Sequence, residues 1–151
     1  MKKESTELLG MFGVDSGQVM IGDPCYLDNF VANNFEDIRR HKHKKSGKVL
    51  QYGKDFTSYT EIIPEYKKTM SELNSNGEWI ELPHPHAKDR SYSYRGSAMA
   101  TIHGDGGELK GKTGAPFALS VVSSTGFGDG VYPVYATKED GRVKELTIKF
   151  F

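Results

Sequence analysis

Two aspartates stand beside glycine or proline at the ends of predicted strands, where a carboxylate can do chemistry. Asp23 precedes Pro24, and Asp129 lies between Gly128 and Gly130. Carboxylates in such positions cap loop N–H groups, bind a cation or transfer a proton. In an antiparallel pair the end of one strand faces the start of its neighbour, so we predict that these two loops meet at one end of a sheet.

The same two segments, together with a basic run, predict a site for a small anionic, nucleotide-like ligand. Glycine-rich turns form concave nests of N–H groups that attract anions. The run Arg39–Lys54 adds seven Lys or Arg and no acidic residue, although such a run also suits a solvated flexible loop. The predicted ligand-binding residues are Asp23, Tyr26, Gly126, Gly128, Asp129, Gly130, Tyr132, Arg39, Arg40 and Lys42.

The histidines offer an alternative function, a metal-assisted hydrolase. The spacing His84-Pro85-His86 places both imidazoles on one side of an extended chain, as zinc sites use. A divalent ion held there would polarise a phosphoryl or acyl oxygen. No rigid element fixes these ligands, so the leading prediction has no metal and no cofactor. The alternative metal set is His84, His86, His103 and Asp105, acting with Asp23 and Asp129.

Two other motifs lack the context that their chemistry needs. Gly106–Thr113 matches a P-loop, but a P-loop opens a helix, whereas Phe117–Ser124 is typical of a strand. We therefore predict a hairpin loop rich in glycine and lysine there. A nucleophilic cysteine needs a base and positive surroundings, and the commoner fate of a lone cysteine such as Cys25 is burial as a small apolar side chain. With no coherent catalytic set, the sequence favours binding over catalysis.

Short β-prone runs separated by glycine turns must position these residues. Seventeen glycines in 151 residues, between runs rich in Val, Ile, Tyr, Phe and Thr, predict a mainly β fold. We expect a β-sandwich or a strongly bent antiparallel sheet with one or two short helices, in a single domain over residues 1–151.

The clearest predicted element is a hairpin around Asp140-Gly141, a strong signal for a tight turn. On its second strand Leu146, Ile148 and Phe150 alternate with polar residues, so one face is predicted to be buried. The predicted strands are 8–14 paired with 18–22, 78–82, 92–102, 117–123, and 131–137 paired with 142–150. The predicted helices are 35–38 and 64–73, and 83–90 is predicted to be a polar loop.

Composition narrows the function classes. Twenty Lys and Arg balance twenty Asp and Glu, so the chain has no overall charge to attract nucleic acid or an anionic membrane. No apolar run reaches the ~18–20 residues of a membrane span, and no signal peptide is recognisable. Cys25 is the only cysteine, which together with these features predicts a cytoplasmic protein. The sequence is compatible with an oligomer.

Residues 14–26 and 119–150 resemble a domain family of unknown function from bacterial and phage genomes. Its members carry a strand ending in Asp-Pro near the N-terminus and a Gly-Phe-Gly-Asp-Gly-x-Tyr-Pro-Val-Tyr hairpin near the C-terminus. The resemblance implies a β-rich fold and, by analogy, a phage or mobile-element accessory protein, but no activity. The combined prediction is a small cytosolic binding module that recognises a small anionic ligand or a protein partner.

Overall fold

The protein is described here by a computed structural model that covers residues 3–111 and 115–151. The fold is mainly β, with several antiparallel sheets and a few short helices, as predicted. None of the helices within the described residues is both long and apolar enough to cross a membrane. The chain divides into a terminal unit, Met1–Asn33 with Lys88–Phe151, and an inserted unit, Asn34–Ala87. The single domain stays a prediction.

The elements follow one another along the chain in this way. A 3₁₀ helix, Pro24–Asn29, follows the second strand. The two α-helices are α1 Met70–Ser75 and α2 Tyr94–Ile102. The strands are β1 Glu4–Val14, β2 Gln18–Gly22, β3 Arg40–His43, β4 Val49–Gln51, β5 Ile62–Ile63, β6 Lys68–Thr69, β7 Trp79–Leu82, β8 Gly106–Leu109, β9 Ser120–Ser124, β10 Gly130–Glu139 and β11 Arg142–Ile148.

One sheet of the terminal unit has the strand order β1-β10-β11, with both pairs antiparallel. The predicted hairpin β10–β11 is confirmed. Asp140 (φ 49°) and Gly141 (φ 82°) both adopt the left-handed conformation that a two-residue hairpin turn requires. The predicted burial of one face of β11 is wrong at its centre, because Leu146 remains 56% exposed.

The second sheet of this unit has the order β2-β9-β8. Strands 8–14 and 18–22 form as predicted, but their predicted pairing is wrong. β1 pairs with β10, and β2 pairs with β9 from Gln18 opposite Ser124 to Gly22 opposite Ser120. The turn at residues 15–17 therefore connects two different sheets, because β1 and β2 each pair with a strand that is distant in the sequence.

Helix α2 packs against β2, β8 and β9, and it replaces the predicted strand 92–102. Ser93 is the N-cap, and its side chain accepts a hydrogen bond from Gly96 N at 2.9 Å. The helix buries small residues, among them Ala98 and Ala100. A serine cap followed by alanines outweighs the β-prone tyrosines that suggested a strand.

The inserted unit contains the sheet β4-β3-β7 and the short pair β5-β6. Its core consists of Leu50, Phe56, Ile63, Met70, Leu73 and Trp79. The predicted helix 64–73 is mostly wrong, since α1 runs only from Met70 to Ser75, with Thr69 as its N-cap in a capping box with Glu72. The predicted helix 35–38 does not form, whereas the strand near 78–82 and the loop 83–90 are confirmed.

Candidate functional site

The terminal unit contains a cavity of about 930 Å³ between three segments of the chain. Residues 28–33 span the end of the 3₁₀ helix and the chain after it, residues 89–95 lead into the first turn of α2, and residues 110–111 follow β8. Backbone hydrogen bonds join the segments: Val31 N donates to Tyr92 O at 3.1 Å, and Tyr92 N donates to Lys110 O at 2.9 Å. The cavity is thus built on paired backbone rather than on a single loop.

One wall of the cavity is apolar and belongs to the core. Phe30, Tyr92 and Leu119 line it, and the rings of Phe30 and Tyr92 meet edge to face with centroids 5.2 Å apart. Tyr92 is only 4% exposed and forms part of the core cluster with Leu109 and Val122. Because these side chains pack against the core, the wall is a preformed surface on which a flat apolar group can lie.

The polar side of the cavity is organised by an ion pair. Arg95 Nε donates to Asp89 Oδ2 at 2.8 Å, and Ser91 N donates to Asp89 Oδ1 at 2.8 Å. Burial raises the pKa of Asp89, but the hydrogen bonds from Arg95 and Ser91 outweigh it and lower that pKa to about 2. Asp89 therefore stays ionised at neutral pH and holds the Arg95 guanidinium in place.

Two more cations stand at the same cavity. Arg90 and Lys110 line it, and Arg90 Nη1 donates to the backbone oxygen of Asp89 at 2.7 Å. The acidic residues of the lining are Asp28 and Asp89, of which Asp89 is already paired with Arg95. The balance of charge in the cavity favours an anion.

The N-terminus of α2 also faces this region, but its first amides are occupied. Tyr94 N donates to Val31 O, Arg95 N donates to Asn33 Oδ1, and Gly96 N donates to Ser93 Oγ, at 2.8–3.0 Å. These amides hold the cavity wall together. A bound anion would therefore depend on the cationic side chains rather than on the helix amides.

The predicted meeting of Asp23 and Asp129 is wrong. Asp23 follows Gly22 at one end of the β2–β9 pair, whereas Asp129 lies beyond the other end, where Gln18 pairs with Ser124. The five paired residues separate the two ends by roughly 16 Å at ~3.3 Å per residue. The prediction failed because the strand that follows Asp129 pairs with β1 and not with β2.

Asp23 has a structural role that the structure defines. Its Oδ1 accepts a hydrogen bond from Cys25 N at 2.9 Å and caps the 3₁₀ helix that ends beside the cavity. Cys25 is exposed, so its predicted burial is wrong. The hydrogen bond and negative charge of Asp23 raise the pKa of the Cys25 thiol, which keeps it protonated at neutral pH. Tyr26 packs against the core cluster around Tyr92.

The glycine-rich loop before β10 is closed by its own neighbours. Asp129 Oδ1 accepts a hydrogen bond from Gly17 N at 2.9 Å. The carbonyl oxygen of Gly128 accepts hydrogen bonds from Thr125 Oγ1 at 2.6 Å and from the buried Tyr132 hydroxyl at 2.8 Å. The loop residues do not line the cavity described above. The role of Gly126, Gly128, Asp129, Gly130 and Tyr132 in ligand binding stays a prediction.

The predicted basic residues lie in the inserted unit. Arg39 forms an ion pair with Asp37 and lies over the Tyr52 ring at 4.7 Å. Arg40 Nη2 donates to Pro83 O at 3.2 Å, and Lys42 is exposed on β3. The run forms the hairpin β3–β4 rather than the solvated flexible loop that was the alternative. Ligand binding by these three residues stays a prediction.

The alternative metal set does not assemble. His84 Nδ1 accepts a hydrogen bond from His86 N at 3.1 Å, and His84 Nε2 lies 2.9 Å from the Glu36 carbonyl oxygen, so both ring nitrogens are used. Within residues 3–111 and 115–151, no three His, Cys, Asp or Glu side chains are grouped to hold a metal ion. The alternative of a metal site at His84, His86, His103 and Asp105 is therefore wrong.

The structure describes only residues 106–111 of the segment that matches a P-loop. Gly106–Leu109 is strand β8, paired antiparallel with β9, where a loop was predicted. Lys112 and Thr113, which would contact phosphate in a P-loop, lie outside the described residues. The strand conformation at Gly106 differs from the loop that a P-loop needs before its helix.

Sequence reasoning missed the residues that organise the cavity, namely Asp89, Arg90, Arg95 and Lys110. The segment that contains three of them was assigned to a loop and a strand. Ser93, followed by Gly96 and two alanines, is a usable N-cap signal, and it would have placed Arg95 in the first turn of a helix. No local pattern indicates that Lys110 meets this segment.

Comparison of the chain with protein-family models, with curated proteins and with solved structures found no match. The resemblance of its two ends to a bacterial and phage family therefore stays a prediction. Geometry and charge alone identify the cavity as the candidate site.

Proposed function

We propose that this protein is a binding module for a small anionic ligand that carries a flat ring, such as a nucleotide. The observation that supports this is the cavity of about 930 Å³, which is lined both by apolar core residues and by an arginine that an ionised aspartate holds. A volume of this order suits a drug-sized ligand, and a few fixed polar groups on an apolar surface are typical of such sites.

The charged and the apolar residues of the cavity would bind different parts of the ligand. Arg95 binds Asp89 through Nε, so its Nη groups are the donors that a bound phosphate or carboxylate would use, and the guanidinium fork matches such a group. Charge-assisted hydrogen bonds contribute about 1.5–3 kcal/mol each, so Arg95 is expected to account for roughly a 10- to 100-fold gain in affinity. Phe30 and Leu119, which are half-buried, would contact the ring of the ligand, and the buried Tyr92 supports Phe30 from behind.

The pKa shifts of Asp89 and Cys25 support binding without catalysis. Asp89, with a pKa of about 2, is too weak a base to take a proton at neutral pH. The Cys25 thiol, whose pKa Asp23 raises, is held in its less nucleophilic form. We place the module in the cytoplasm as a phage or mobile-element accessory protein, by analogy alone.

Isothermal titration calorimetry tests this proposal. The probes are adenosine and guanosine monophosphates, cyclic dinucleotides and inorganic phosphate, each titrated into the full chain. We expect at least one nucleotide to bind more tightly than phosphate, because only the nucleotide uses the aromatic wall. If no probe on this panel releases or absorbs heat, the proposal fails.

Two variants identify the site. Arg95→Gln should weaken the bound nucleotide by tenfold or more, and Lys110→Gln, which leaves the Asp89 pair intact, should weaken it less. Arg142→Gln removes an exposed arginine of β11 outside the cavity and serves as the matched control. Equal affinity for wild type, Arg95→Gln and Lys110→Gln would place the ligand elsewhere. Melting curves of each variant separate loss of binding from loss of fold.

A further inference from the structure

We propose that the outer face of the sheet β4-β3-β7 in the inserted unit docks an acidic segment of a partner protein that also carries aliphatic side chains. This surface belongs to the inserted unit, and the cavity belongs to the terminal unit. It contains Arg40 and Lys42, two residues of the basic run that the cavity does not use. We call it the basic face; by strand register it consists of the exposed Lys42, Val49 and Ile80 and the half-buried Arg40, Gln51 and Leu82.

The register of the strands defines the basic face. Lys42 lies opposite Val49 on β4 and opposite Ile80 on β7, so these three side chains point to the same side of the sheet. The alternate residues point the other way, and His41 and Leu50 are 2% and 4% exposed there. One face of the sheet therefore packs on the core of the inserted unit, and the opposite face is the basic face.

The basic face exposes aliphatic surface between cations. Val49 is 41% and Ile80 is 43% exposed, and the exposed Lys42 lies between them. The turn that follows β3 adds Lys44 and Lys45, both exposed. A row of cations beside aliphatic side chains is complementary to acidic residues that alternate with apolar ones.

Charge compensation on this hairpin is incomplete. Lys48 forms an ion pair with Glu65, and Arg39 forms one with Asp37. No ion pair within the described residues involves Lys42, Lys44 or Lys45. These three ammonium groups remain available for carboxylates supplied by another molecule.

The side-chain chemistry of the face favours a protein over a single-stranded nucleic acid. Nucleic-acid strands are held by cations together with aromatic rings on which bases stack. No outward residue of this sheet is aromatic, and the rings nearby serve the core: Phe56 and Trp79 are buried in it, and Tyr52 and Tyr59 pack against it. Aliphatic groups at Val49 and Ile80 instead match Leu or Val side chains of a peptide.

Fluorescence anisotropy with labelled synthetic peptides tests the proposal on the full chain. The probe is a twelve-residue peptide in which glutamates and leucines are interspersed; a second peptide has serine in place of leucine, and a third has lysine in place of glutamate. A single-stranded oligonucleotide of the same fluorophore is the fourth probe. We expect the glutamate–leucine peptide to bind most tightly, and raising the salt from low to high concentration should weaken it.

Variants locate the contact. Lys42→Glu should weaken the glutamate–leucine peptide by about tenfold, because an attractive charge becomes repulsive at the centre of the face. Ile80→Ser should remove the preference for leucine over serine. Arg142→Glu makes the same charge change on an exposed strand of the terminal unit and should leave affinity within about twofold. Nucleotide binding in the cavity should be unaffected by Lys42→Glu, so the two proposals fail separately.

Three outcomes would overturn the proposal. The first is no binding of the glutamate–leucine peptide, and the second is equal loss of affinity in Lys42→Glu and Arg142→Glu. The third is tighter binding of the oligonucleotide than of any peptide, which would assign the face to nucleic acid. Circular dichroism of Lys42→Glu should match the wild type, because Lys42 is exposed and its side chain forms no ion pair within the described residues.

Discussion

Gly96 is the position at which a single methyl group should damage both the fold and the candidate site. A Cβ atom on Gly96 would lie 2.0 Å from the Ser91 carbonyl oxygen and 3.0 Å from Ser91 N. A carbon and an oxygen in contact need roughly 3.3–3.6 Å, so the backbone of residue 91 or the start of α2 has to move by more than an ångström. Ser91 lines the cavity, and its amide holds Asp89.

The expected loss follows from two opposing effects. Alanine in place of glycine favours a helix by about 1 kcal/mol. Forcing an extra carbon into a packed site costs about 1–3 kcal/mol, and more where backbone atoms form the obstacle. We therefore expect Gly96→Ala to lower the free energy of unfolding by about 2 kcal/mol. The melting temperature should fall by roughly 4–8 °C.

Urea unfolding followed by circular dichroism measures this change, with Gly13→Ala as the matched control. Gly13 lies on β1, and no atom stands within 4 Å of the position its Cβ would take. The control should stay within about 0.5 kcal/mol of the wild type. A Gly96→Ala protein with unchanged or higher stability would refute the close packing of α2 on residue 91, and with it the described cavity wall.

Three further predictions concern titration, positioning and capping. Burial lowers the pKa of His41, so the folded protein favours the neutral imidazole. The free energy of unfolding should therefore be highest above the ordinary pKa near 6.5 and fall as the pH drops below it. Urea unfolding at pH 8 and pH 5.5 measures this loss, and His41→Leu should reduce it. Asp89→Asn should weaken nucleotide binding in calorimetry, because Arg95 loses the carboxylate that positions it, while Asp89→Glu should recover part of the affinity. Thr69→Ala should cost about 1 kcal/mol in urea unfolding, because it removes one half of the capping box with Glu72; unchanged stability would contradict the cap.

Local signals in the sequence were sufficient where the interaction itself is local. The tight turn of the β10–β11 hairpin requires positive φ at two residues, Asp140 and Gly141 adopt it, and the hairpin forms as predicted. Asp23-Pro24 ends β2 because proline cannot donate to a strand, and the aspartate then caps the next helix. Both features depend on residues within a few positions of one another.

The failures involve pairing and packing over long distances along the chain. β1 pairs with β10, more than a hundred residues away, and this choice moved Asp129 away from Asp23. The cavity brings together segments near residues 30, 90 and 110, and no local pattern predicts that they meet. The helix α2 is a different case, because the Ser93 cap was visible in the sequence but was outweighed by its β-prone neighbours.

The most direct test of the proposed binding site is an amide NMR titration of the full chain with adenosine monophosphate, guanosine monophosphate and a cyclic dinucleotide in turn. At least one nucleotide should shift the signals from residues 28–33, 89–95 and 110–111 together with one dissociation constant, and leave those from residues 126–130 in place. Shifts confined to residues 126–130, or none at any residue, would contradict the proposed site.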